Sequence, residues 1–119
     1  MDGDGIMRVL EETLFGYPIR CQLTKLDDGL HVLLTGGCRS HIGAISTAGP
    51  GEETKTRIFP GHKDQFVSEP WAAALAEKTG RRTCVVCGIH YDNATKAQIG
   101  EILRCTQRML ARVLTETDE

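Results

Sequence analysis

Apolar and polar residues alternate along the first half of the chain, and apolar residues recur every three or four positions towards its end. Ile19, Cys21 and Leu23 alternate with Arg20, Gln22 and Thr24, the mark of a strand with one face in a core. Residues 6–15 alternate more loosely and predict a further N-terminal strand, with Val9 and Leu10 competing for the inner face. Gly16 and Tyr17-Pro18 break it or mark an edge. Asp27-Asp28-Gly29 reads as a turn, and Leu30–Leu34 returns to complete a hairpin. His41–Thr47 alternates again, with Ile42, Ala44 and Ser46 set against Gly43, Ile45 and Thr47. Ala48-Gly49-Pro50-Gly51 is a second turn, and Thr54–Phe59 a short strand stopped by Pro60-Gly61. Thr83–Ile89 is apolar and β-branched, which predicts a strand covered on both faces.

Two segments carry the helical period. Ser68 is placed to cap the first, with Glu69 favourable to the dipole and Pro70 tolerated in the first turn. Trp71, Ala74, Leu75 and Lys78 share a face, and Gly80 is a C-terminal stop. The second is predicted over Ala94–Leu114 with Asn93 as its cap. Ile99, Ile102, Leu103, Leu110, Val113 and Leu114 make its apolar stripe, and Gly100 marks close packing. The order β-β-β-β-α-β-α, with the extra N-terminal strand, predicts an α+β fold. Its sheet is largely antiparallel, of five to six strands, with both helices on one face. Residues 1–119 form one domain, with a flexible N-terminus (1–5) and a frayed acidic tail (116–119). The uncovered face, carrying residues such as Cys21 and Ile45, needs a cover, and a homodimer supplies one.

Composition narrows the function. A net charge of −2 leaves no broad basic surface, which argues against sequence-independent nucleic-acid binding. Aromatic residues are too few for a base-stacking platform. No stretch approaches a membrane span, and the N-terminus lacks the pattern of a signal peptide. Five scattered cysteines and no export signal point to reduced thiols in the cytoplasm.

Three segments carry candidate chemistry. Gly36-Gly37-Cys38-Arg39-Ser40-His41 is a glycine loop with donors for an anion, though it matches neither the P-loop nor the dinucleotide fingerprint. Gly61-His62-Lys63 is a second basic cluster. His90, Tyr91, Asp92, Asn93, Thr95 and Lys96 crowd a strand-to-helix junction whose free N–H groups suit a phosphate. If Arg39, His41, His62, Lys63 and the His90–Thr95 corner meet, they form one positive pocket for a phosphate-bearing ligand. Each segment also has a plain reading as a solvated loop or capped helix. Cys84 and Cys87 fall on opposite faces of a strand, which disfavours zinc and a dithiol redox pair. Nucleophilic catalysis would fall to Cys38 near His41, and acid–base catalysis to His90 with Asp92.

Four motifs occur in order: Thr35-Gly36-Gly37, His41-Ile42-Gly43-Ala44, Phe59-Pro60-Gly61-His62-Lys63, and Cys87-Gly88-Ile89-His90-Tyr91-Asp92-Asn93-Ala94-Thr95-Lys96. Together they resemble the small accessory proteins of gallate-type decarboxylases, the prenylated-flavin chaperone family. Ser40 stands where that pattern often has proline. The resemblance implies a homodimer with a fold similar to proteasome-assembly chaperones and no turnover of its own. It implies a carrier that holds reduced prenylated flavin mononucleotide, or flavin mononucleotide, and passes it to the large subunit of a UbiD-type decarboxylase. On matched positions, phosphate contact is expected at Asn93–Lys96 or Gly36–Arg39. His41, His62 and His90 are expected near the ring system or phosphate, with Phe59 or Tyr91 packing on a ring. The rival readings are a structural subunit of the decarboxylase complex, an independent enzyme, and a chaperone that binds protein only.

Overall fold

The computed structural model describes residues 7–61 and 63–117. The expected flexibility of residues 1–5, the last two residues of the tail and the placement of His62 lie outside the described residues. Among the described residues six strands and two helices follow one another as β1 (Met7–Leu14), β2 (Tyr17–Leu26), β3 (Gly29–Gly37), β4 (Ala44–Ala48), β5 (Lys55–Ile58), α1 (Gln65–Thr79), β6 (Thr83–His90) and α2 (Lys96–Glu116). The further N-terminal strand is therefore present, and five strands precede α1. They form one sheet in the order β1-β2-β3-β6-β4-β5. Among the described residues only β3 and β6 pair in parallel; the other four pairings are antiparallel.

Both helices lie on one face. Alternation along the strands sends Ile19, Cys21 and Leu23 (β2), Leu30, Val32 and Leu34 (β3) and Val85 and Cys87 (β6) beneath them, against Trp71 and Leu75 of α1 and Met109 and Val113 of α2. Cys21, expected on the uncovered face, is thus in the core, where burial pushes its thiol up to about 12 against a smaller opposing pull from Arg8. A buried polar seam joins α1 to the sheet: Ser46 Oγ lies 2.7 Å from the hydroxyls of both Ser68 and Thr56. The open face presents a row across all six strands, Val9, Gln22, Leu33, Val86, Ile45 and Arg57. β6, expected to be covered on both sides, is covered on one, and Cys84 and Val86 are half-exposed on the other.

Helix boundaries depart from expectation in instructive ways. α1 begins at Gln65, so Ser68 is a buried helical residue bonded to Ser46 rather than a cap. Pro70 lies beyond the first turn, where its missing N–H leaves the Phe66 carbonyl without its helical donor. Gly80 ends the helix in the left-handed region, φ 69°. α2 starts at Lys96, and Thr95 caps it through a reciprocal pair with Gln98: the Gln98 N–H donates to Thr95 Oγ1 (3.1 Å) and the Thr95 N–H to Gln98 Oε1 (2.9 Å). Asn93, expected to be that cap, instead turns the chain at φ 54°. The buried line of α2 is Cys105, Thr106, Met109 and Val113. A Cβ on Gly100 would meet only the Arg104 side chain, at 3.5 Å, so that glycine marks no close packing. Glu116, placed in the fraying tail by its sequence, is still helical and pairs with Arg8 of β1.

Candidate functional site

Strand direction gathers the candidate segments. Because β3 and β6 run the same way and β4 runs against β6, the ends of β3 and β6 meet the beginning of β4 at one end of the sheet. Backbone bonds clamp the loops there. Cys38 N–H donates to the His90 carbonyl (2.7 Å), Gly43 N–H to Cys87 (2.9 Å) and Phe59 N–H to Gly43 (3.0 Å). Two glycines make the approach possible. A Cβ on Gly88 would lie 1.6 Å from the His41 carbonyl oxygen, and one on Gly43 would lie 1.9 Å from Asp64 Oδ2.

Asp64 is the centre of this end. It occupies the N-cap position of α1 but makes no side-chain cap. Its carboxylate, 7% exposed, turns into the protein and accepts from Ile89 N–H (2.9 Å) and Cys87 S–H (3.7 Å). The third donor is Nε2–H of His41, 3.1 Å from Oδ2. A carboxylate only accepts, so this bond places a proton on Nε2 of His41. Burial first, and then the Asp64 charge and hydrogen bond, hold the Cys87 thiol well above its ordinary 9.0. Nothing in the sequence around Lys63-Asp64-Gln65 announces this role beyond an Asp ahead of a helical run.

His90 stands beside this group, its ring centroid 6.3 Å from that of His41, and its Nε2 lies 2.8 Å from Asp92 Oδ1. Tyr91 donates its hydroxyl to the Leu14 carbonyl (2.9 Å) and leans towards that of Tyr17 (3.4 Å). Its ring packs edge-on against Phe15 and Tyr17. Burial, then proximity to Cys105 and Cys38, pushes its phenol up to about 12.

A cleft of about 210 Å³ opens between α1, α2 and the end of β6. Val67, Ile89, Ala94, Ile99, Ile102 and Leu103 form its apolar walls, and Gly61, Lys63, Asp64, His90 and Tyr91 its remaining lining. Of the residues singled out from sequence, Lys63, His90 and Tyr91 line the cleft. His41 is tied to it through Asp64, and Asp92 through His90. Thr95 and the exposed Lys96 follow Ala94 at its rim. Gly36 and Gly37 are not part of an open loop. They are the last residues of β3, where a Cβ on Gly36 would lie 2.7 Å from Ile19 Cα and one on Gly37 would lie 2.0 Å from the His90 carbonyl oxygen. Arg39 is exposed beyond them. Cys84 and Cys87 point to opposite faces, and among the described residues no three His, Cys, Asp or Glu side chains gather as a metal-binding group.

The chain is a small α+β protein with the architecture of a proteasome-assembly chaperone. In the crystal structure of a chaperone complex for yeast 20S proteasome assembly, 97% of one chain matches 92% of this one, at a TM-score of 0.61 and 13% identity, a likeness of fold alone. Residues 13–118 match the prenylated flavin chaperone LpdD-like domain, and the chain belongs to that family. It is 29% identical over 105 residues to Protein LpdD of Lactiplantibacillus plantarum, covering 84% of this chain and 77% of that protein.

Proposed function

We propose that this protein is a non-catalytic carrier that binds reduced prenylated flavin mononucleotide, or flavin mononucleotide, in the cleft at the end of the sheet. It then passes that cofactor to the large subunit of a UbiD-type decarboxylase. The observation that carries this reading is the convergence of Lys63 and Asp64 with His90 and Tyr91, from distant parts of the chain, on one apolar-walled cleft, with His41 held behind Asp64. The residues suit the group: a flavin offers broad apolar faces, a polar ring edge and a phosphate, and the cleft offers apolar walls, an imidazole, a carboxylate and a lysine. The prenylated flavin, once bound, supplies electron-sink chemistry that is exercised in the acceptor enzyme.

Each residue then has a binding task. Asp64 keeps a proton on Nε2 of His41 and fixes that ring before any guest arrives. Asp92 orients His90 in the same way. Tyr91 remains a phenol at physiological pH, and its bonds to the β1–β2 turn hold the corner between β6 and α2 in place. Val67, Ile102 and Leu103 exclude water from one side of the guest. Pockets that enclose a drug-sized ligand run to about 300–1,000 Å³; the smaller cleft leaves part of the mononucleotide outside, which suits a protein that must release its cargo. The open row through Leu33, Val86 and Ile45 is the surface on which a second copy would pack, giving a homodimer.

An anaerobic absorbance titration with reduced flavin mononucleotide and its prenylated form tests the reading, followed by transfer to the apo-decarboxylase. His90→Ala is expected to weaken flavin binding at least about tenfold, roughly 1.4 kcal/mol, with little change in melting temperature. Unchanged affinity would remove His90 from the site. Copurification with the decarboxylase and no bound flavin would favour a structural subunit instead.

A further inference from the structure

We infer that the cleft takes its guest ring first, with the phosphate held at the mouth beside Lys63 and Lys96. This placement rests on the flavin reading above. Its first support is the sign of the charge at the cleft floor. Asp64 is a buried carboxylate, and a phosphate driven down to it would set two anions together where water screens them poorly. A flavin ring edge carries N–H donors. The two carboxylate oxygens offer about four lone-pair sites, of which Ile89, Cys87 and His41 use three.

Size and lining agree. The walls are apolar from Val67 across to Leu103, and the volume of about 210 Å³ falls short of the range for pockets that enclose a whole ligand, about 300–1,000 Å³. A ring system fits that description better than a ribityl phosphate, which is flexible and strongly hydrated. The cations lie outside the floor: Lys63 lines the cleft and is exposed, and Lys96 is exposed next to the rim residues Ala94 and Thr95. The glycine segment is no rival cradle. Gly36 and Gly37 are committed to strand pairing, and the Cys38 N–H is donated to His90.

The test compares reduced flavin mononucleotide, riboflavin and lumiflavin as ligands, with ribose 5-phosphate and inorganic phosphate as competitors, under anaerobic conditions. Lumiflavin is expected to displace the mononucleotide, and neither phosphate compound to do so. In the Lys63→Gln/Lys96→Gln variant the preference for the mononucleotide over riboflavin is expected to fall by about five- to tenfold, towards unity. Asp64→Asn is expected to weaken all three flavins in the same proportion. An unchanged preference in the double-lysine variant would overturn the placement. So would competition by ribose 5-phosphate, or selective tightening of the mononucleotide in Asp64→Asn. The lysine variant changes only exposed side chains, so its answer stands even if Asp64→Asn fails to fold. If the wild-type protein binds no flavin at all, the carrier reading itself fails; if flavins bind without this pattern, only the orientation does.

Discussion

At the end of the sheet that holds the cleft, the carboxylate of Asp64 is sealed among three donors. At the opposite end, Glu52 meets Arg82 at 2.9 Å with both side chains more than half exposed. The glycines differ in parallel. Gly88 is pressed against the His41 carbonyl, whereas Gly51 has nothing within 4 Å of where a Cβ would stand and takes positive φ, 76°, only to turn the chain. Similar residue types therefore serve different ends. One end is built tightly enough to fix a carboxylate–imidazole pair; the other merely connects strands in water. Close packing plus a buried polar group held by several donors is what separates the two ends.

The largest expected effect comes from that packing. Gly88→Ala drives a methyl group into backbone and is expected to cost about 3 kcal/mol or more. Gly51→Ala incurs only left-handed strain of about 1–2 kcal/mol; equal losses in urea unfolding would break the comparison. Next come the carboxylates. Asp64→Ala leaves the Ile89 N–H and His41 without their acceptor and is expected to cost about 2–4 kcal/mol. Glu52→Ala removes an exposed pair worth less than about 1 kcal/mol.

Alkaline pH sharpens the contrast further. The native Cys87 keeps its proton above its ordinary 9.0, whereas the unfolded thiol loses it. Stability is therefore whole below pH 9 and falls as pH rises through and beyond that value, by about 1.4 kcal/mol per pH unit for each such thiol. Cys21, whose thiol stands at about 12, adds to the slope, and Cys87→Ala is expected to make it shallower in unfolding curves between pH 9 and 11. A local effect remains at the rim: Thr95→Ala removes the cap of α2 for about 1 kcal/mol. It should be read as faster amide exchange in the first turn of that helix alone, while α1, which has no side-chain cap, is unaffected.

The strands and hairpins were legible because alternation is local: Ile19, Cys21 and Leu23 show it, and Asp27-Asp28-Gly29 closes the turn. Gly80 was legible as a stop for the same reason. Cap assignments failed where neighbours competed. Asn93 and Thr95 are both good caps, and the decisive partner was Gln98, three residues beyond Thr95. Ser68-Glu69-Pro70 imitates a helix start, yet Val67 and Ser68 already donate to the Asp64 carbonyl. Which face Cys21 occupies depends on where the helices settle, and no local pattern encodes that. Lys63, His90 and Tyr91 were legible as site candidates from their density of polar groups. Asp64 was not, because its partners His41, Cys87 and Ile89 become neighbours only when β6 takes its place between β3 and β4, parallel to the one and antiparallel to the other.

That pairing has a consequence for synthesis. β3 and β6 are separated in the chain by two strands and a helix, so a nascent polypeptide that has emerged only through α1 has Asp64 and His41 but no strand to seat them on. The cleft is thus among the last things to be completed, and a copy that stops short of β6 lacks the Ile89 and Cys87 donors that hold the Asp64 carboxylate.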